Sequence, residues 1–291
     1  MLNQLVLLIA LCGAEADANP LFEKLQKDGV PMGAGPALRL PAPTMANGLD
    51  AAGQRAALTS VADVDRPVEA LVRKSVLAPF VLKTERENVA SAGRHVDLWF
   101  VAYGDLQRIT SEDFLKSRSK PKQTSENQPP SEDRLPRKAV VLSAEQLAER
   151  GLRATKSARM AESYSYATFP LFDRVLLSVT SHVVQTRNDQ SALVASLLDT
   201  RFRDDREFPI FWQKLDRDIN GNQVLGAKHP YQGMGSYAKI TKLIDPPGAL
   251  FVECHAVFDE PQGWFDGVNL LRSKLPILVQ ENVRKFRQEI R

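Results

Sequence analysis

The sequence predicts an α+β protein, in which a curved antiparallel meander packs against a long C-terminal helix and a smaller α/β portion precedes it. Three observations carry that prediction. From Tyr164 to Asp259 the chain is a succession of β-periodic runs broken by turn residues. Residues 268–290 then repeat apolar side chains at helical steps. The first part instead mixes short helical spacings with a Pro/Gly-rich break.

Taken in order, residues 1–18 read as a secretory signal peptide. Leu5 to Leu11 is a short apolar run, and Ala14-Glu15-Ala16 or Ala16-Asp17-Ala18 supplies a small-x-small cleavage site. The run is too short to span a bilayer. Cys12 offers a lipoprotein reading, but the bulky Leu11 before it disfavours that anchor. The expected location is therefore secreted or periplasmic. Cleavage would leave Cys254 as the one cysteine, so no internal disulfide is expected. Its place among Leu250, Val252 and Phe258 suits a small buried hydrophobe.

Residues 19–48 begin with a helix, Asn19 as cap and Pro20 in the first turn, ending at Gly29. Val30 to Thr44 holds four prolines and reads as an irregular strap. Residues 49–110 form an N-terminal α+β portion: helical spacing at 49–61 and 67–73, then β runs at 76–84 and 95–103, with Ser91-Ala92-Gly93 as a turn. Val96, Leu98, Phe100 and Ala102 alternate with Asp97, Trp99, Val101 and Tyr103, which implies cover on both sides. Residues 111–137 have few large apolar side chains and several prolines; such a segment buries too little to offset its ordering entropy and reads as a disordered loop or linker.

Residues 138–291 form the C-terminal α+β domain. Lys138 to Leu142 suits a strand, and Ser143 with Gln146 makes a capping box that stops at Gly151. Asp173 to Thr186 and Ser191 to Phe202 flank the turn Asn188-Asp189-Gln190. Shorter strands at 208–215 and 222–227 flank Asn220-Gly221. Tyr237 to Ile244 and Leu250 to Phe258 flank Asp245-Pro246-Pro247-Gly248. In the second of these strands Leu250, Val252, Cys254, Ala256 and Phe258 share an apolar face, with Phe251, Glu253, His255, Val257 and Asp259 opposite. The closing helix draws a stripe through Val268, Leu271, Leu275, Val279, Val283, Phe286 and Ile290. Lys274, Arg284, Lys285 and Arg287 fall mostly off it, and Pro276 predicts a kink or a short break. A hairpin and a one-faced helix each lack stability alone, so each is expected to cover the other.

Over residues 164–291 this order of strands closed by one helix is helix-grip-like and resembles, in outline, the START-type lipid-binding domains. That resemblance implies a ligand held between sheet and helix.

The chemistry-bearing residues are few. His182 shares a strand face with Ser178 and Thr180, and His255 shares one with Glu253, so His182, Glu253 and His255 can be imagined as a metal or acid–base cluster if their strands adjoin. Cross-strand pairing is the plainer role, and no metal or cofactor is expected. Trp264 and Phe265, between Gly263 and Gly267, either gate a cavity or anchor the helix start. Gly233-Met234-Gly235-Ser236-Tyr237-Ala238 matches G-x-G-x-x-A, but a β run follows where a helix N-terminus is required. There is no G-x-S-x-G, H-E-x-x-H, C-x-x-C or phosphate loop. The net charge of +3 is spread without a basic block, which argues against nucleic acid. No later segment is long and apolar enough for a membrane span. These features point to an exported non-catalytic protein that binds an apolar small molecule or a protein partner, with Trp264, Phe265, His182, Glu253 and His255 as candidate ligand-binding residues. A secreted hydrolase using the same polar strand residues, and an envelope structural or assembly protein, are the alternatives.

Overall fold

The computed structural model describes residues 19–33, 35–86, 93–109, 138–264 and 270–290. The expectations for residues 1–18, 111–137, Ser91, Ala92 and Phe265 lie outside these described residues.

Among the described residues, twelve strands and six α-helices follow one another as α1 (Pro20–Lys27), β1 (Val30–Met32), β2 (Gly35–Leu38), α2 (Ala51–Val61), α3 (Val68–Leu71), β3 (Phe80–Arg86), β4 (Gly93–Tyr103), α4 (Leu106–Ile109), β5 (Lys138–Val141), α5 (Ala144–Ala148), β6 (Met160–Leu171), β7 (Val175–Arg187), β8 (Ser191–Leu198), β9 (Phe211–Arg217), β10 (Gln223–Pro230), β11 (Met234–Lys242), β12 (Ala249–Asp259) and α6 (Leu270–Glu289). Local chemistry sets the ends. Asn19 caps α1 by accepting from Phe22 N, and Gly29 at φ +80° closes it. Ser143 and Gln146 form the capping box of α5. Asn188 Oδ1 accepts from the amides of Gln190 and Ser191 in the β7–β8 turn.

Ten strands make one antiparallel sheet, in the order β10-β9-β7-β8-β11-β12-β4-β3, with β6 also on β7 and β5 on β6. β7 pairs with β9 along its first half and with β8 along its second, so the sheet forks there. β3 and β4 adjoin β12, which puts residues 80–103 in the same sheet as the C-terminal strands. The fold is α+β and helix-grip-like: one sheet face receives α6. Leu275, Val279, Val283, Phe286 and Ile290 are all buried in the core that holds Val96, Leu98, Phe100, Val252, Cys254 and Phe258. Phe286 meets Phe100 edge-on at 5.7 Å. Of the kink or short break the sequence predicts at Pro276, the break is absent: α6 is one continuous helix; Pro276 lies on the exposed side, and water there can take the carbonyl freed by the missing N–H.

The opposite face is covered as well, so every residue of β12 is buried. α1, β1 and β2 pack with Val184, Leu193, Ala195, Tyr237 and Val257. Met45 and the buried side of α2 and α3 pack with Val81, Trp99, Val101 and Phe251. Part of the expected irregular strap is thus a short hairpin, β1–β2. Its docking explains the two glycines of the G-x-G match. A Cβ on Gly233 would run into the carbonyl oxygen of Pro31, and one on Gly235 into the Val30 side chain.

Candidate functional site

Two parts of the sheet carry polar groups in positions that packing alone does not explain, one on each face.

On the face covered by the N-terminal segment, Glu253 and His255 alternate along β12, Asp97 stands opposite His255 on β4, and Lys239 stands opposite Glu253 on β11. His255 Nδ1 lies 2.6 Å from Asp97 Oδ1, and Nε2 lies 3.4 Å from Glu253 Oε2. Tyr237 stacks on the imidazole at 4.7 Å and Trp99 meets it edge-on at 5.2 Å. Burial alone would lower the His255 pKa, but the hydrogen bonds and charges of Asp97 and Glu253 outweigh it and hold the value above the ordinary 6.5. The group can therefore keep a proton between two carboxylates. Its contacts to residues 41–45 are mostly with main chain. Thr44 N donates to Glu253 Oε2 at 2.7 Å and Met45 N to Oε1 at 3.3 Å; Lys239 Nζ donates to Met45 O at 2.6 Å. Tyr237 OH donates to Pro41 O and Trp99 Nε1 to Thr44 Oγ1. The cluster fastens residues 41–45 onto the sheet. Cys254 points to the other face, and burial pushes its thiol up to about 12, which keeps it from serving as a nucleophile here.

His182 does not join this group. It lies on β7, separated from β12 by β8 and β11, three strand spacings or about 14 Å away. Its Nε2 is 2.6 Å from Glu162 Oε1, and its ring stacks on Tyr164 at 4.8 Å. Trp264 is buried in an aromatic cluster, stacked on Tyr231 at 5.6 Å and edge-on to Trp212 at 5.8 Å, which suits an anchor near the start of α6.

The face that receives α6 is different. Registered rows cross it with short side chains: Ala161, Gln185, Val194, Ala238 and Cys254 in one, and Ser163, Val183, Ser196, Ser236 and Ala256 in the next. Gln185 is the exception in length and polarity. It is 1% exposed, and neither its amide nitrogen nor its amide oxygen has a hydrogen-bond partner. An unmade hydrogen bond of this kind costs about 1–3 kcal/mol per group. Buried Thr186 and Thr241 also have an unpaired hydroxyl, but both belong to the opposite face.

Gln185, Asp97 and Lys239 are not among the candidate residues the sequence singles out. Gln185 was detectable, because in Asp173 to Thr186 it falls in phase with Val179 and Val183, a polar residue at a core-facing position. Asp97 and Lys239 carried no local signal, since only strand order brings them beside β12.

Among the described residues, no group of three or more His, Cys, Asp or Glu side chains is arranged to hold a metal ion, and no helix is long and apolar enough to cross a membrane. No protein-family model and no curated protein matches the chain. Among solved structures it is similar to the human StarD13 (DLC2) lipid transfer and protein localization domain, at 10% sequence identity and a TM-score of 0.39, over 85% of this chain and 98% of that one.

Proposed function

We propose that this is an exported, non-catalytic binding protein that holds an apolar ligand bearing a neutral polar group between the sheet and α6. The reading rests on Gln185: a buried amide with both atoms unpaired, in rows of Ala and Ser, on the face that packs against the amphipathic helix. The rows around it carry short side chains, and an amide can satisfy a hydroxyl, ester or amide of a ligand. Export is supported by the apolar run and small-x-small pattern within residues 1–18. The absence of the common hydrolase motifs supports a non-catalytic role, as does the use of the Glu253 oxygens by the amides of Thr44 and Met45. A hydrolase working through His255 would first have to displace residues 41–45.

Native mass spectrometry of the full chain purified from its own host, followed by solvent extraction, tests the binding role. A retained neutral amphiphile is the expected result. A protein of bare mass that takes up no monoacylglycerol from vesicles would refute it. Sequencing of the mature N-terminus tests export, with cleavage after Ala16 or Ala18 expected.

A further inference from the structure

Arg287 falls off the apolar stripe of α6 in the sequence, yet its side chain is buried, 3% exposed. Its guanidinium spends its hydrogen bonds on main-chain carbonyls alone: Nε on Val101 at 2.8 Å, Nη1 on Ala78 and on Val76 at 3.4 Å, and Nη2 on Pro79 at 3.0 Å. A guanidinium has five N–H groups, so one on Nη2 is left over. Among the described residues, no carboxylate forms an ion pair with Arg287 or with Arg284 one turn before it. Burying a cation without an anion is costly, and here burial draws the Arg287 pKa down to about 10.

Beside it lies a cleft of about 220 Å³ between α6 and the segment leading into β3, lined by Pro79, Phe80, Gln280, Val283, Arg284 and Arg287 among others. Gln280, Val283, Arg284 and Arg287 are three or four residues apart and share one helix face. The cleft thus joins a buried cation that has carbonyl partners but, among the described residues, no carboxylate, a second arginine and an amide to an apolar wall. For scale, an apolar cavity of roughly 150 Å³ accommodates benzene.

We propose that this cleft binds a small organic anion, a carboxylate carried on a flat apolar body. One carboxylate oxygen takes the spare Nη2–H of Arg287 and the other takes Arg284, while the body lies against Phe80 and Val283. The site lies on the same sheet face as Gln185 but at the β3 edge, five strand spacings away, and does not depend on what Gln185 binds.

Calorimetric titration of the full chain with benzoate, benzyl alcohol and inorganic phosphate tests it. Benzoate is expected to bind about tenfold more tightly than either of the others, because only it offers both the charge and the ring. Added salt should weaken benzoate and leave benzyl alcohol alone. Arg287 also clamps the helix, so the variant to use is Arg284→Ala at an exposed position: benzoate should lose several-fold in affinity and benzyl alcohol none. Amide shifts at Phe80 and Val283 on benzoate addition should report the location. Equal binding of benzoate and benzyl alcohol, equal binding of benzoate and phosphate, or unchanged benzoate affinity in Arg284→Ala would each overturn the assignment.

Discussion

Gln185→Leu separates a ligand-facing amide from a structural one. In the ligand-free protein the glutamine leaves a donor and an acceptor unmade, at about 1–3 kcal/mol each. Leucine removes both and adds apolar contact with Val194 and Ala161, its neighbours across the ladder. Removing both groups recovers about 2–6 kcal/mol; less up to about 1.5 kcal/mol for imperfect fit of the branched side chain, the net gain is at least about 0.5 kcal/mol and up to about 6. For a chain of this size each kcal/mol moves the melting temperature by about 2–4 °C, so a rise of several degrees is expected. Urea and thermal unfolding of delipidated protein measure it, and uptake of monoacylglycerol by the same variant should fall about tenfold. Stability bought at the expense of binding is the signature of a functional polar group in a core. If Gln185→Leu instead lowered stability by 1 kcal/mol or more, the amide would be bonded in solution, by an ordered water or otherwise, and the argument from its lack of partners would fail.

Other perturbations test the frame around it. Gly233→Ala drives a methyl into the Pro31 carbonyl, which is backbone and cannot rotate away; a loss of about 1–3 kcal/mol is expected, and limited proteolysis should release the N-terminal segment first. Phe286→Ala removes the ring that meets Phe100 and should cost about 3–5 kcal/mol in urea unfolding; a value under 1 would mean that α6 is not docked as described. The pH dependence has a worked sign. His255 has a raised folded pKa, so its contribution is whole below 6.5 and is lost as pH rises through the higher folded value. Asp259, raised by burial to about 6, acts the same way from 3.8 upward, whereas Asp205, held at about 2 by Arg150, loses its contribution as pH falls below 3.8. Stability should therefore peak on the acid side of neutrality and decline further as pH rises above 6.5; His255→Gln should flatten that upper part of the decline, and an unchanged slope would remove His255 as its source.

The core face and the closing helix were readable because both obey a simple period. Leu250 to Phe258 alternate in twos and Leu275 to Ile290 recur in threes and fours, and the structure buries those side chains together. The hairpin turns were readable from Asn188 and Gly221, whose backbone demands are local. The cover on the second face was not readable. Val30 to Leu38 forms strands through contact with β11 and β12, some two hundred residues away, and its prolines argue against them locally. The same distance hid the partners of the candidate site: nothing near His255 announces Asp97, and nothing near Glu253 announces Thr44. Arg287 misled for a different reason. A charged residue on a helix reads as solvent-facing until carbonyls from another segment surround it.

The hydrogen bonds from Thr44 and Met45 to Glu253, together with that from Asn19 to the Val184 carbonyl, tie residues 19–45 to strands 165 to 209 residues further along the chain. During synthesis α1 and the β1–β2 hairpin emerge with no surface to rest on, and must wait until residues 234–259 have left the ribosome. Closure of that face thus depends on contacts between segments some two hundred residues apart. Once closed, the middle of β12 lies inside a three-ply stack, and its amide hydrogens should be among the last to exchange.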